Sequence, residues 1–300
     1  MIVDERARRA SGYALVAIAA SGWGTWPLIL RHAPIPAALQ SAIMMAVQAL
    51  TGLVVVLLGD RVRARASLSQ WAAVLWLGVS DALNVLLFFA AYQRTKVAIA
   101  VLTHDLTPIF VALAAPIFLR EKAQARTFFA VAVAFFGLVL LLEPWCAGFG
   151  RSDLAGAALG AASALFYASN VLVNKRLLAV FSASELMFFH SLVAAPLLFA
   201  LVPPSEYGKA TPAALGVVLA GAVGPGAICG LMFVWGLRRV PASHASILTL
   251  IEPFVAVVLA ALVLQERLGT VQIVGGLLIL AGAFVVIGAE PAKVGVQSTS

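Results

Sequence analysis

Ten apolar segments run through this chain of 300 residues, and each is long enough to cross a membrane. A helix needs about 20 mostly apolar residues to span the hydrocarbon core of a bilayer. The segments show no alternation with period two and are too long for barrel strands, so we predict ten membrane-spanning helices. We place these helices at residues 11–30, 37–58, 71–92, 97–119, 126–142, 154–174, 184–202, 213–236, 242–264 and 270–288.

The composition excludes a soluble fold. Of all residues, 62% are hydrophobic and only 11% are charged, whereas soluble domains carry about 25% charged residues. A soluble protein of this length could not keep so much apolar surface away from water. We therefore assign the chain to the all-α integral membrane class.

The basic residues lie in short clusters between the apolar segments. Fourteen of the 20 Lys and Arg residues fall on the side of the membrane that carries both termini, and six fall on the other side. Since cytoplasmic loops are enriched in Lys and Arg, we predict that both termini are cytoplasmic and that the protein lies in the cell (inner or plasma) membrane. This clustering makes the net charge of +7 a topology signal rather than a sign of nucleic-acid binding.

The two halves of the chain resemble each other. A shift of 145 residues pairs Arg94 with Arg239, Pro108 with Pro253, Glu121 with Glu266 and Gly137 with Gly282. We predict two repeats of five helices, residues 1–150 and 151–300, arranged around a central cavity. Because five is an odd number, the second repeat must be inverted in the membrane. Inverted repeats are typical of secondary transporters, whose substrate site lies near the midplane between the halves.

The same residues carry a resemblance to a known family. The pattern of Pro253, Glu266-Arg267 and Gly282, echoed by Pro108, Glu121-Lys122 and Gly137, resembles the drug/metabolite transporter superfamily. Within that superfamily the chain is similar to the ten-helix EamA type over essentially its whole length. The resemblance implies export of metabolites such as amino acids, and one branch exports aromatic and other neutral amino acids. It also implies a cavity lined by helices 1, 3, 4, 6, 8 and 9, with helices 5 and 10 peripheral.

Six ionisable residues lie deep in apolar segments, where a charge is costly and normally faces a cavity or a partner. They are Asp81, His104, Asp105, His190, His244 and Glu252. On helix 3, Asp81, Asn84 and Phe88 share one face. A carboxylate, an amide and an aromatic ring could hold a substrate's amino or hydroxyl group beside an apolar side chain. The alternative is an interhelical hydrogen-bonded pair.

On helix 4, His104 and Asp105 stand one turn before Pro108, which leaves the carbonyl of His104 without its helical donor. We interpret the two residues as a binding, hinge or proton-relay site. The alternative is that Asp105 lies near the outer surface and is simply solvated. On helix 6, Tyr167 and Asn170 belong to a polar stripe that either lines the cavity or holds helices together.

Helix 8 is interrupted by Gly224-Pro225-Gly226, which the repeat places opposite Ser80 and Asp81 of helix 3. Broken helices in corresponding positions indicate a transporter site, and a kink that serves packing alone is the alternative. We predict a cavity contact at Pro225 and hinges or kinks at Pro108, Pro253, Gly224 and Gly226.

Two further residues are predicted to face the cavity, and two acids are predicted to be structural. Trp26 lines the outer vestibule or belongs to the aromatic belt, and Ser246 of helix 9 is expected to contact the cavity. Glu121 and Glu266 end helices 4 and 9 on opposite membrane faces, so they cannot bind one substrate together. We expect each to cap the N-terminus of the following helix.

No metal-binding His-Glu-x-x-His pair, nucleophile elbow, P-loop or dinucleotide fingerprint occurs, so we predict no enzyme, no catalytic residue, no cofactor and no metal site. We predict a secondary transporter that exports a small-molecule substrate, an amino acid by preference, across the lipid bilayer by alternating access. Asp81 or Asp105 would couple transport to protons. A broad-specificity drug/metabolite exporter is the main alternative, and an intramembrane enzyme or a non-transporting scaffold are others.

Overall fold

The computed structural model describes residues 2–31, 35–61, 65–147, 150, 153–208, 210–265 and 267–288, and these contain helices but no strand. We number the helices that cross the molecule as spans 1 to 10. Their bounds are Ile2–Trp23 and Trp26–Arg31 (span 1), Ala37–Leu57 (span 2), Leu68–Tyr92 (span 3), Val97–His104 and Thr107–Phe118 (span 4), Ala125–Leu142 (span 5), Asp153–Leu177 (span 6), Ala183–Leu201 (span 7), Pro212–Gly221, Ala222–Ile228 and Cys229–Leu237 (span 8), Ala242–Leu248 and Ile251–Leu264 (span 9), and Thr270–Ile287 (span 10). Short helices, Pro144–Ala147 and Pro204–Tyr207, follow spans 5 and 7.

The all-helical architecture is confirmed. Within the described part of the chain, nine spans (2 to 10) are long and apolar enough to cross a membrane. Span 1 differs from its predicted range, because its helix begins at Ile2 and includes the basic residues before the apolar segment. It is interrupted at Gly24 and Thr25. A Cβ on Gly24 would lie 2.6 Å from the carbonyl oxygen of Glu252, so glycine allows this interruption to touch span 9.

Spans 4 and 9 are each broken once, and the internal repeat relates the two breaks. Span 4 opens at residues 105–106 and span 9 at 249–250, so the shift of 145 carries one break onto the other to within one residue. Pro108 and Pro253 follow the breaks closely. Because proline lacks the N–H that would bond to the carbonyl four residues earlier, each proline removes a helical hydrogen bond at its break.

Span 8 contains a different irregularity. Residues Ala222–Ile228, around Pro225, form a π-helix, whose turn is wider than that of an α-helix. Span 3 runs without interruption through Ser80 and Asp81. The positions that the repeat places opposite Pro225 and Gly226 are therefore helical in span 3, which contains no proline to remove a hydrogen bond. The matched breaks lie in spans 4 and 9 instead.

Glycines bring neighbouring spans into close contact. A Cβ on Gly137 of span 5 would lie 2.6 Å from the carbonyl oxygen of Gly275 in span 10. A Cβ on Gly236 of span 8 would lie 2.8 Å from the carbonyl oxygen of Gly12 in span 1. Small residues at such positions let membrane helices approach closely enough for dense packing. Spans 5 and 10 therefore form a tight pair.

Candidate functional site

Aromatic side chains from spans 3, 4 and 6 meet near the break in span 4. The centroid of the His104 ring lies 4.1 Å from that of Phe88 and 5.5 Å from that of Tyr167. The rings of His104 and Tyr167 are nearly parallel, with an angle of 7° between their planes. Phe88 also contacts Tyr92, at 4.6 Å between ring centroids. Three predicted site residues from three spans are thus brought together.

Hydrogen bonds orient the ring of His104. Its Nδ1 lies 2.8 Å from Oγ of Ser163, and this hydroxyl donates to Oδ1 of Asn84 at 2.8 Å. Because a hydroxyl has one hydrogen, this arrangement has the Nδ1–H of His104 donating to Ser163. Nε2 of the neutral ring is then left as an acceptor. We call Asn84, Phe88, His104, Ser163 and Tyr167 the aromatic cluster.

Two acidic residues, which we call the acid pair, lie at the matched breaks. Asp105 lies in the break of span 4, and Glu252 follows the break of span 9. Neither carboxylate forms a hydrogen bond or an ion pair with any residue that the structure describes. Since an acid at membrane depth normally has a partner, this pair has room for a cationic group.

The side chains around the acid pair are half-exposed although they lie well inside their spans. This holds for Phe88, His104, Asp105, Tyr167 and Glu252. Carboxylates and aromatic ring faces both attract cations, so these partly exposed side chains can contact a protonated amine that carries an apolar or aromatic body.

Asp81 belongs to a second polar group, between spans 3, 6 and 7. Its Oδ1 accepts a hydrogen bond from Nδ2 of Asn170 at 3.0 Å, and its Oδ2 lies 3.4 Å from Nδ1 of His190. Asp81 and Asn84 therefore do not act as one stripe, because Asn84 bonds to Ser163 instead. The interhelical pairing considered as the alternative exists, with Asn170 as the partner of Asp81.

Unpaired polar atoms surround this second group. Among the described residues, the buried side-chain atoms without a hydrogen-bond partner are Oδ1 of Asn170, Oδ1 of Asn174 and Nδ1 of His190. Buried polar atoms are nearly always paired in folded proteins, because leaving one unpaired costs free energy. The group around Asp81 therefore has spare capacity for a proton or a water molecule.

Three residues that were predicted to line the cavity, Trp26, Pro225 and Ser246, make their contacts outside the aromatic cluster. The ring of Trp26 packs against Gly221 of span 8. The π-helix that holds Pro225 lies against span 2, where Nε2 of Gln48 donates to the carbonyl oxygen of Gly226 at 3.2 Å. Ser246 is fully buried, and its hydroxyl donates to a carbonyl oxygen in its own helix.

From the sequence, Glu252 is one of six deep ionisable residues and has no assigned role, and neither Tyr92 nor Gln48 is predicted to lie in the site. The signal for Glu252 is its position beside Pro253, because the repeat relates that proline to Pro108 and hence to the acid of span 4. Tyr92 carries no such signal, since aromatic residues are common at helix ends. Gln48 is a polar residue in an apolar segment. Only the structure indicates its role, through its hydrogen bond to the π-helix of span 8.

Polar contacts close the end of the molecule that carries both termini, which we call the terminal end. Nζ of Lys175, on span 6, donates to the carbonyl oxygens of Leu237 and Val240 at 2.6 Å each, at the end of span 8. The hydroxyl of Tyr13, on span 1, lies 2.7 Å from Nδ1 of His244. All residues from 242 to 250 are buried, so span 9 is tightly enclosed here.

Glu121 caps a helix, but not the one predicted. Its Oε1 accepts from the N–H of Ala242 at 2.7 Å, and its Oε2 accepts from the hydroxyl of Ser243 at 2.9 Å. These residues begin span 9, not span 5, because the packing of the two repeats brings the start of span 9 beside the end of span 4. Glu266, its counterpart in the second repeat, lies outside the described residues.

Comparison with known proteins identifies the family of this chain. The model of the EamA-like transporter family matches the chain twice, over residues 10–143 and 154–288. An uncharacterized transporter of Archaeoglobus fulgidus is 30% identical over 215 residues, covering 71% of this chain and 75% of that protein. An uncharacterized transporter of Clostridium kluyveri is 24% identical over 215 residues, covering 70% of this chain and 68% of that protein. The double match shows that the chain arose by internal duplication.

Two further likenesses agree with these matches. The uncharacterized transporter YcbK of Bacillus subtilis is 27% identical over 175 residues, covering 56% of this chain and 55% of that protein. A solved crystal structure superposes with a TM-score of 0.79, covering 92% of this chain and 98% of its own, at 18% identity. That structure is similar to this chain in fold alone.

Proposed function

We propose that this chain, which belongs to the EamA-like transporter family, exports small molecules that carry an amino group, with neutral or aromatic amino acids as the main class. Family membership makes it a membrane transporter that binds a small-molecule substrate within the bilayer. The substrate class, the direction of transport and the residues that act are our proposal.

The observation that carries the proposal is the acid pair of Asp105 and Glu252. Neither acid has a hydrogen-bond or ion-pair partner in the described chain, and the ring of His104, next to Asp105 in sequence, belongs to the aromatic cluster. A substrate's ammonium group would supply the missing positive charge. Phe88 and Tyr167 would pack against an apolar or aromatic side chain.

The carboxylate of an amino acid would also find a partner at the breaks. The helices that begin at Thr107 and Ile251 have their N-terminal ends there. Helix N-terminal ends carry partial positive charge and free N–H groups, so they attract anions. Broken helices in other secondary transporters bind substrate in this manner.

Alternating access would expose these groups first to one side of the membrane and then to the other. The terminal end is closed by the contacts of Lys175, Tyr13 and Glu121. If the count of basic residues places this end in the cytoplasm, the described state is closed toward the cytoplasm. Pro108, Pro253, Gly224 and Gly226 remain our proposed hinges, and the Cβ position of Gly224 faces open space.

Protons are the proposed coupling ion. Asp81 is partly accessible, with 18% of its side chain exposed, and it lies beside His190 and unpaired amide oxygens. A proton on this group would change its hydrogen bond to Asn170, which shares span 6 with Tyr167. Asp105 is the second candidate, because it lies in the acid pair itself.

A second candidate function is export of amine drugs or other organic cations. It is favoured by one observation, the two acids of the acid pair, neither of which has a hydrogen-bond or ion-pair partner among the described residues. A substrate of this class would use the carboxylates and the rings but would not need the helix N-terminal ends.

Uptake into liposomes that contain the purified protein tests both candidates. Labelled phenylalanine, phenethylamine and 3-phenylpropionate share one ring and differ only in their charged groups. We expect saturable uptake of phenylalanine, inhibition by phenethylamine and none by 3-phenylpropionate, compared with empty liposomes. Uptake of the amine alone would favour the second candidate, and preference for 3-phenylpropionate would refute the role of the acid pair. Repeating the assay with a pH gradient tests proton coupling.

A further inference from the structure

A hollow of about 500 Å³ lies at the terminal end, between the ends of spans 4 and 6. Ile117 and Phe118 of span 4 form its apolar part. Arg120 follows span 4 and Arg176 lies in the last turn of span 6, and both face the same hollow. This hollow is separate from the acid pair, which lies at the opposite end of the Thr107–Phe118 helix.

The two arginines in the hollow have no ion-pair partner among the described residues. Glu121 and Lys175 also line it, but both are already bound to the ends of spans 9 and 8. Arg120 and Arg176 are exposed, and neither forms a side-chain hydrogen bond or an ion pair with a described residue. A guanidinium group binds phosphate oxygens through paired hydrogen bonds, so two of them in one hollow favour a phosphate group.

The apolar part of the hollow indicates a lipid rather than a soluble anion. Ile117 is 79% exposed and Phe118 is 61% exposed, so both present large apolar surfaces in the last turn of a membrane helix. A soluble phosphate would leave these surfaces uncovered. The acyl chain of a phospholipid would cover them while its headgroup stays at the level of the arginines. Basic pockets between membrane helices recognise anionic lipids in this way.

We propose that the hollow binds an anionic phospholipid, with its phosphate between Arg120 and Arg176 and an acyl chain along Ile117 and Phe118. Because Glu121 and Lys175 line the same hollow, the bound lipid lies against the two side chains that hold the terminal end closed. The proposal does not depend on which solute is transported. Its test is a binding measurement, so its failure is distinct from failure of the proposed function.

Native mass spectrometry of the purified protein with phosphatidylglycerol or phosphatidylcholine tests this site. We expect phosphatidylglycerol to bind preferentially to the unmodified chain. The double variant Arg120→Gln/Arg176→Gln should bind it about tenfold more weakly, because each basic side chain adds to the attraction for an anionic lipid. The variant Arg120→Lys/Arg176→Lys should retain part of the binding, because it keeps the charge and loses the paired hydrogen bonds.

The matched control is Arg6→Gln/Arg65→Gln, which removes two exposed arginines outside the hollow. We expect this variant to bind phosphatidylglycerol like the unmodified chain. An equal loss in the control, or equal binding of phosphatidylcholine, would refute the site. Binding of glycerol phosphate as tight as that of the lipid would refute the assignment to a lipid. A thermal unfolding midpoint in detergent equal to that of the unmodified chain shows that each variant is folded.

Discussion

Asp105 and Glu252 stand at the matched breaks of spans 4 and 9, one acid in each repeat. The internal duplication explains the position of the breaks, because Pro108 and Pro253 are equivalent residues. It does not explain the acids, since the shift of 145 pairs Asp105 with Leu250 and Glu252 with Thr107. The two acids are therefore not equivalent positions of the repeat, although both lie at its matched breaks.

Neutralising the acid pair is expected to weaken substrate binding. Asp105→Asn and Glu252→Gln keep the side-chain shapes but remove the negative charge. Each should raise KM for phenylalanine about tenfold or more, because a hydrogen bond to a charged group contributes roughly 1.5–3 kcal/mol. Concentration-dependent uptake into liposomes measures this. Glu5→Gln removes an exposed acid at the terminal end and serves as the control; unchanged KM in both acid variants would contradict the proposal.

Removing the ring of Tyr167 is expected to change selectivity. Tyr167→Phe keeps the ring that stacks on His104, whereas Tyr167→Ala removes it. We expect the alanine variant to lose preference for phenylalanine over alanine as substrate, since the packing surface for an aromatic side chain is gone. The phenylalanine variant should keep that preference. Competition uptake with the two labelled amino acids measures the ratio, and equal ratios in all three proteins would exclude Tyr167 from the binding surface.

Loss of the Lys175 contacts is expected to open the terminal end. Lys175→Met removes two hydrogen bonds to the end of span 8 and should raise the accessibility of span 9 about tenfold. A cysteine at Ala245, which is buried in the closed end, reports this through its reaction rate with a membrane-impermeant thiol reagent. The native cysteines, Cys146 and Cys229, are first replaced by serine and alanine.

Lys122→Met is the matched control for this measurement. Lys122 is exposed at the same end and has no hydrogen bond or ion pair with a described residue. Its replacement should leave the labelling rate unchanged. Equal rates in the Lys175 and Lys122 variants would show that the lysine contacts do not hold the end closed.

Proton coupling is expected to depend on Asp81. In Asp81→Asn, the ratio of uptake with a pH gradient to uptake without one should fall to about one, because the neutral amide cannot exchange a proton. His190→Gln should weaken the response as well, since His190 lies 3.4 Å from the carboxylate. Both ratios come from the same liposome assay. A full gradient response in Asp81→Asn would move the coupling role to Asp105.

The tight pair of spans 5 and 10 is expected to be sensitive to a single methyl group. Gly137→Ala places a Cβ 2.6 Å from the carbonyl oxygen of Gly275 and should lower stability by about 1–3 kcal/mol. Gly216→Ala is the control, because no atom lies within 4 Å of its Cβ position and alanine favours a helix. Thermal unfolding in detergent compares the two. A similar stability of both variants would show that the contact between spans 5 and 10 tolerates the added methyl group.

The sequence by itself determined the membrane class, the all-helical architecture and the family. Composition and the length of apolar segments are local properties. In lipid, segments of this length satisfy the hydrogen-bonding groups of their backbone by forming helices. The prolines at 108 and 253 likewise predicted irregular backbone, because a missing N–H acts within its own helix. The division at residues 150 and 151, the cytoplasmic termini and the amino-acid substrate stay predictions.

Only the tertiary structure decided which polar side chains meet. Asp81 and Asn84 share a face of span 3, yet one bonds to Asn170 and the other to Ser163. Glu121 caps span 9 from a distance of 121 residues in the chain, where the sequence suggested the next helix. Spacing along a helix fixes which side chains share a face, but the partner on another helix depends on how ten helices pack. That packing reflects contacts along whole spans, so no local pattern of residues records it.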